Sequence, residues 1–191
     1  MKKTKILSTL MALTCISVPA IGYTSNNSSK TPNYQLTAYA YYENVGGTWI
    51  NEGGRWWYKH NDGTYTKNDW EKINNLWYHF DASGWMQTGL KWFGNDLYYL
   101  HPSNGNMQID WQKIGGRWYY FYSSGKAASG FVTLNGKRYY FLPSTRYMLT
   151  GWFTVNGKKY YAFPDGHLAK GITYVNGTRH MFDNNDCHMI W

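Results

Sequence analysis

The chain has 191 residues, of which 20% are aromatic, and its 11 Trp and 19 Tyr far exceed what one ordinary core uses. Its formal charge is +8, and apart from three lysines at the amino terminus its basic residues are spread along the chain, a distribution that argues against a nucleic-acid partner. A membrane span is also not expected, because the apolar run at residues 6–18 is shorter than the roughly 20 residues that a spanning helix needs.

The amino terminus has the pattern of a secretory signal peptide. Three lysines within the first five residues precede the apolar stretch, which ends in Val18-Pro19-Ala20, with small residues suited to cleavage. We therefore expect residues 1–20 to be removed and the mature protein to be secreted. Cys15 is interpreted as part of the apolar signal core, since Thr14 before it is bulkier than lipidation sites usually carry.

The mature chain is less basic than the full sequence. Without Lys2, Lys3 and Lys5, 16 basic residues face 11 acidic ones, and the formal charge falls from +8 to +5. A charge of this size fits attraction to a polyanionic surface but is mainly a solubility property. One cysteine remains, Cys187, so no internal disulfide is possible and stability must come from packing.

Residues 21–48 form a lead-in segment rich in Ser, Asn, Thr and Tyr, too short for an enzyme domain. After it, a period of 20 or 21 residues divides the chain into seven repeats. Each repeat opens with an aromatic or large apolar residue, and an aromatic cluster follows seven or eight positions later. The predicted repeats are 49–69, 70–89, 90–110, 111–130, 131–151, 152–171 and 172–191.

Turn signals within the repeats predict strands. Pairs such as Gly53-Gly54, Asn74-Asn75 and Asn135-Gly136 lie between the opening residue and the cluster, and such pairs adopt the positive φ angles of tight hairpin turns. A single hairpin of this length cannot bury enough surface to be stable, so neighbouring hairpins must stack. The sequence therefore predicts an all-β fold, a β-solenoid of stacked β-hairpin repeats.

The repeat pattern resembles the choline-binding, or cell-wall-binding, repeats of pneumococcal surface proteins and autolysins. Residues 111–130 match that pattern best: an opening Trp, a Gly turn, the run Trp118-Tyr119-Tyr120-Phe121 and a closing Gly. Residues 49–89 resemble the opening hairpins of the choline-binding module of the autolytic amidase. The resemblance covers residues 49–191, and it implies a secreted, non-catalytic protein associated with the cell wall or cell surface, where it recognises the choline of (lipo)teichoic acid.

The resemblance also implies choline sites between consecutive hairpins, each made of two aromatic residues from one hairpin, a third from the next and a Met floor. A quaternary ammonium cannot donate a hydrogen bond, which makes a box of π faces a suitable receptor for it. Carried over by position, three sites are expected: Trp49, Trp57, Tyr78 and Met86; Trp70, Trp77, Tyr98 and Met107; Trp111, Trp118, Tyr139 and Met148.

The other repeats depart from the pattern. Repeat three has Leu90 and Leu97 where aromatic residues belong, although Trp92 lies close by in the sequence. Repeats five, six and seven place cations at the expected box wall, where they would repel choline; these are Arg138, Lys159 and Arg179. The carboxyl-terminal half is therefore expected to bind no choline.

No catalytic or metal constellation is predicted, and no cofactor is expected. The six histidines are scattered, and the acidic residues at Asp62, Asp81, Asp165 and Asp183 recur at one turn position, as hairpin geometry requires. The main alternative is a polysaccharide ligand, because repeats four to six also resemble glucan-binding repeats of glucansucrases and carbohydrate-binding repeats of clostridial toxins. Many of the rings also have a purely structural role in such a stack.

Overall fold

The computed structural model describes residues 46–191, and the predicted signal peptide and nearly all of the lead-in segment lie outside this range. Within it, fourteen strands pair only as seven antiparallel hairpins, each a two-stranded sheet of its own. In chain order the strands are β1 Gly47–Glu52, β2 Arg55–His60, β3 Asp69–Ile73, β4 Leu76–Phe80, β5 Gly89–Phe93, β6 Asp96–Leu100, β7 Asp110–Ile114, β8 Arg117–Phe121, β9 Gly130–Leu134, β10 Lys137–Phe141, β11 Gly151–Val155, β12 Lys158–Ala162, β13 Gly171–Val175 and β14 Thr178–Phe182.

Two-residue turns set the register of every hairpin. Asn74 and Asn75 both have positive φ, 49° and 66°, as the type I′ turn between β3 and β4 requires. Gly94-Asn95 is a turn pair that the sequence analysis missed. There only Gly94 has a positive φ, 60°, which corresponds to the type II′ turn with glycine first.

A short segment after each hairpin links it to the hairpin before. From the second hairpin on, the central residue of this segment forms an isolated antiparallel bridge with the last residue of the preceding strand, as Met107 does with Leu100. The same residue donates its backbone N–H to a carbonyl of the previous repeat, as from Met107 to Trp77 O at 2.7 Å. Equivalent bonds occur at all six junctions of the described residues, the others being Met86 to Trp56, Ala127 to Leu97, Met148 to Trp118, Leu168 to Arg138 and Met189 to Lys159.

The core is a column of side chains from one position of each repeat. The last residue of the second strand in repeats two to seven is almost completely buried, with at most 1% of its surface exposed; these residues are Phe80, Leu100, Phe121, Phe141, Ala162 and Phe182. Burial of a Phe or Leu side chain contributes about 1.5–3 kcal/mol. Since no hydrogen-bonded sheet joins the hairpins, this column and the junction bonds hold the stack together.

The prediction of an all-β stack of hairpins is confirmed. The part of the chain that the structure describes contains no helix of a length and apolarity that could cross a membrane.

Candidate functional site

Hairpin register decides which aromatic side chains share a face. In the second hairpin Trp70 lies opposite His79 and Lys72 opposite Trp77, so both Trp side chains point to the same face. Trp111 and Trp118 share a face of the fourth hairpin in the same way. These are the pairs that the sequence analysis placed together.

Aromatic box two consists of Trp70, Trp77, Tyr98 and Met107. The ring centroids of Trp70 and Tyr98 lie 5.0 Å apart. The four side chains line an open cavity of about 390 Å³, which Ser123 and Ser124 complete. The predicted residues are therefore together, but two lining residues come from repeat four, a contribution that the sequence analysis did not foresee.

Aromatic box three consists of Trp111, Trp118, Tyr139 and Met148. Trp111 lies 6.3 Å from Trp118 at an interplanar angle of 85° and 5.1 Å from Tyr139, so two rings stand edge-on around a third. The Lys113 ammonium lies 5.8 Å from the Trp118 ring, on the exposed rim. Tyr139 and Met148 are buried in one cluster against which Trp111 packs, so all four predicted residues belong to this arrangement.

Aromatic box one differs from the prediction in one residue. Trp49 lies 4.9 Å from Tyr78, and both pack in one cluster with Met86. The fourth predicted residue, Trp57, lies opposite Ile50 and therefore points away from the face of Trp49. Trp56 shares that face, because it lies opposite Asn51, two residues after Trp49. We therefore define aromatic box one as Trp49, Trp56, Tyr78 and Met86.

Trp57 lies on the other face of the first hairpin. Its ring contacts Tyr65 at 5.3 Å, edge to face, and its Nε1 donates a hydrogen bond to Glu52 Oε1 at 3.3 Å. Counting from the turn identifies the residue on the face of Trp49: Trp56 is the second residue after Gly54, as Trp118 is after Gly116.

A third repeat holds each Met floor in place. Met86, Met107 and Met148 lie directly over Gly105, Gly125 and Gly166, glycines in the turns of the following repeat. A Cβ atom at any of these glycines would overlap the Met sulfur. Each box is thus built by three consecutive repeats: two rings from the first, a ring and a Met from the second, and a turn from the third.

The substitution Gly125→Ala is expected to reduce stability more than Gly116→Ala. Both glycines have nearly the same positive φ, 81° and 79°, so both variants lose about 1–2 kcal/mol through backbone strain. Nothing lies within 4 Å of a Cβ at Gly116, whereas a Cβ at Gly125 displaces Met107. Urea denaturation should show an additional loss of about 1 kcal/mol for Gly125→Ala. Equal losses of unfolding free energy in the two variants would contradict the inference that Gly125 holds Met107 in place.

Repeats three, four and five do not form an aromatic box. Side chains of the protein itself fill the place where the box would lie. Leu97 is 2% exposed and packs with Tyr119, and Tyr147 packs against this cluster from repeat five. The Arg146 guanidinium lies 5.2 Å from the ring centroid of Trp92 and donates a hydrogen bond to the carbonyl of Asn95. Trp92 therefore makes a cation–π contact within the chain.

Cations also lie over the opening rings of repeats five and six. The Arg138 guanidinium is 4.7 Å from the Phe131 centroid, and the Lys159 ammonium is 4.4 Å from that of Trp152. In repeat seven, Arg179 lies instead over Trp191, at 5.0 Å. The cations expected at the box wall are thus engaged with the chain's own aromatic rings.

The tyrosine rings of boxes one and two are neutral. Burial raises the pKa of the Tyr78 and Tyr98 hydroxyls, so both remain protonated around neutral pH. The cavity of box two is lined by no charged side chain. Its only attraction for a cation is therefore that of π faces and the polarizable Met sulfur.

Among the described residues, Asp183, Asp186 and His188 form the one group of side chains whose spacing could hold a metal ion. Hydrogen bonding within the chain accounts for them: Asp183 accepts the backbone N–H groups of Asn185 and Asp186, and Asp186 pairs with Lys158 at 2.8 Å. The proximity of these three side chains was not predicted from the sequence. Their geometry is that of a turn joined to the previous repeat.

Two family descriptions match the chain. A choline-binding repeat matches residues 67–110 and 108–145, and a putative cell wall binding repeat matches residues 150–168. A comparison with curated protein sequences gave no match.

Among the similar solved structures are two proteins of Streptococcus pneumoniae. CbpJ of strain TIGR4 is 37% identical with a TM-score of 0.69, over 74% of this chain and 47% of that chain. Choline binding protein F, in the presence of a peptidoglycan analogue, a tetrasaccharide-pentapeptide, is 37% identical with a TM-score of 0.70, over 76% of this chain and 47% of that chain. The same protein in complex with ipratropium is 35% identical with a TM-score of 0.68, over 76% of this chain and 48% of that chain. This chain therefore spans about half the length of these relatives.

Proposed function

This chain belongs to the choline-binding repeat family, and on that premise we propose that it is a secreted, non-catalytic protein that attaches to the cell wall through the choline groups of teichoic acids. The observation that carries the proposal is aromatic box two, an uncharged cavity walled by Trp70, Trp77 and Tyr98 over Met107.

The chemistry of choline fits such a box. Its trimethylammonium head carries a positive charge behind methyl groups, so it cannot donate a hydrogen bond but is attracted to π faces. Each face contributes about 0.5–2 kcal/mol, so three faces give roughly millimolar affinity after the costs of association are subtracted.

Retention on a wall follows from repetition of the boxes. Box one, box two and box three lie on one stack of hairpins, so a second choline on the same polymer binds as an intramolecular event. Weak single sites then produce strong attachment to a surface that carries many choline groups, while free choline in excess releases the protein.

The use of the carboxylates supports a non-catalytic protein. Asp62 accepts the backbone N–H of Thr64, and Asp81 accepts those of Ser83 and Trp85. Asp183 has the same role in repeat seven. These acidic groups stabilise turns, as expected for a repeat scaffold whose function is binding.

Choline is expected to raise the melting temperature of the full chain. A ligand that binds only the folded state stabilises it by RT ln(1 + [L]/Kd) per site, about 1.4 kcal/mol at ten times Kd. Three sites that unfold together would give about 4 kcal/mol. Differential scanning calorimetry with choline, and with dextran as the polysaccharide control, measures this directly.

A rise in melting temperature with dextran and none with choline would overturn the proposal and favour the polysaccharide alternative. Retention of the full chain on a choline resin, followed by release with free choline, is the independent check. Binding that is insensitive to free choline would count against the aromatic boxes as the attachment site.

A further inference from the structure

A second cavity lies between repeats five and seven, with a volume of about 540 Å³. Arg138 comes from β10, Leu168 from the segment after β12, and Asn184 and Asn185 from the turn after β14. Like box two, this cavity is therefore built by three consecutive repeats. We call it the basic cavity, defined by Lys137, Arg138, His167, Lys170, Asn184 and Asn185.

The basic cavity occupies the same place in its repeats as box two. Leu168 donates its backbone N–H to Arg138 O, just as Met107 donates to Trp77 O, and both distances are 2.7 Å. Arg138 thus takes the place of Trp77, and Leu168 that of Met107. At the third wall, Asn184 and Asn185 stand where Ser123 and Ser124 stand in box two.

The lining of the basic cavity is positively charged, so it repels cations. Lys137, Arg138 and Lys170 contribute three positive charges. Three carboxylates lie close to the lining and are engaged within the chain. Asp165 lies 3.3 Å from Lys137 Nζ and also pairs with His167, and Asp186 lies 2.8 Å from Lys158 Nζ. Asp183 accepts the backbone N–H groups of Asn185 and Asp186. Four basic side chains, Lys158 included, thus face three carboxylates, and the formal net charge around the cavity is about +1 with histidines counted as neutral.

Donor groups are also available there. Arg138 Nη1 donates to the carbonyl of Asn185 at 2.9 Å, and within the described residues this is the guanidinium's one hydrogen bond. Four of its five N–H donors thus have no partner in that part of the chain. Lys170 is exposed and forms no ion pair with any described residue.

The wider charge distribution agrees with this local pattern. Residues 131–191 carry seven Lys and Arg against three Asp, whereas residues 46–130 carry eight against seven Asp and Glu. The excess positive charge of the described chain is therefore concentrated in the half that contains the basic cavity, where it attracts anions.

We propose that the basic cavity binds an oxyanion, a phosphate mono- or diester, through Arg138 and Lys170 with the side-chain amide groups of Asn184 and Asn185 as further donors. A guanidinium fork and an ammonium are the usual ligands of phosphate oxygens in proteins. A phosphate monoester carries close to two negative charges near neutral pH, one for the Arg138 guanidinium and one for the Lys170 ammonium. The site is independent of choline binding by the aromatic boxes.

The test uses the full chain and glycerol 3-phosphate as the probe, with acetate and chloride at equal ionic strength. Two-dimensional NMR should show amide shifts at Lys170, Asn184 and Asn185 on addition of glycerol 3-phosphate, with a dissociation constant in the millimolar range. Acetate tests a carboxylate as the source of the oxyanion, and chloride tests general screening.

Lys170→Gln should weaken glycerol 3-phosphate binding about two- to fivefold, the change expected from loss of one exposed charge. Lys59→Gln removes another exposed charge, far along the chain, and should leave the affinity unchanged. Choline affinity should be the same in both variants, which separates this site from the aromatic boxes.

Equal shifts with chloride and glycerol 3-phosphate would overturn the proposal, since they would indicate screening only. Equal weakening by Lys170→Gln and Lys59→Gln would also overturn it. Acetate binding as tight as that of glycerol 3-phosphate would reject phosphate as the preferred group.

Discussion

Replacing Trp56, Trp77 and Trp118 together by alanine is expected to abolish retention of the full chain on a choline resin while the hairpin stack stays folded. These three rings are 40%, 42% and 41% exposed, so they contribute little to the core. Each forms one wall of a box, and loss of one face costs about 0.5–2 kcal/mol, or roughly 2- to 30-fold in affinity per site. Retention falls much further, because it depends on several sites at once.

The matched control replaces Trp57, Trp92 and Trp191, three tryptophans outside the three aromatic boxes. This variant loses as many indole rings but should keep its choline affinity, measured by calorimetric titration. Circular dichroism reports whether each variant is folded. Retention by the box variant together with loss in the control would reject the boxes defined by hairpin register and restore Trp57 as the candidate.

The largest loss of stability is expected for Phe121→Ala. Phe121 has no exposed surface, and its ring centroid lies 6.1 Å from that of Tyr99 and 6.2 Å from that of Tyr119. Removing a buried Phe side chain typically costs 3–5 kcal/mol through lost transfer free energy and the cavity that remains. Because the position lies in the middle of the stack, the cavity weakens the contacts of repeat four with both neighbours.

Urea denaturation followed by circular dichroism measures this loss, with Tyr174→Ala as the control. Tyr174 is 66% exposed, so its substitution should change the free energy of unfolding by less than about 0.5 kcal/mol. A loss below 1 kcal/mol for Phe121→Ala would contradict the central column as the main source of stability.

Local turn chemistry explains why the fold could be predicted from the sequence. Asn135-Gly136 and its counterparts require positive φ, and the structure has it at each of them. Gly94-Asn95 was missed because it uses the other primed turn, in which only the first residue has positive φ. The hairpin between β5 and β6 forms regardless, since either primed turn gives a two-residue connection.

The boxes were harder to predict, for two physical reasons. Side chains alternate between faces with a period of two, so a shift of one residue exchanges Trp56 for Trp57 and moves the ring to the opposite face. The contribution of Ser123 and Ser124 depends on contact between repeats that are not adjacent in sequence, which pairwise comparison of neighbours does not reveal. The cations were located correctly, but their contacts with Phe131 and Trp152 depend on side-chain direction.

Because three consecutive repeats build each box, a duplication, a deletion or a codon change in the gene alters a defined number of boxes. Under the proposed function, the inherited unit of binding is a window of three repeats. The seven hairpins of the described residues form five overlapping windows, three of them aromatic. Duplication of one repeat adds one window, and deletion removes one, while distant windows keep their members. A single codon change at a wall position, such as that of Trp77 or Arg138, alters one window without touching the backbone bond beneath it. Valency and ligand preference can therefore evolve separately along one chain.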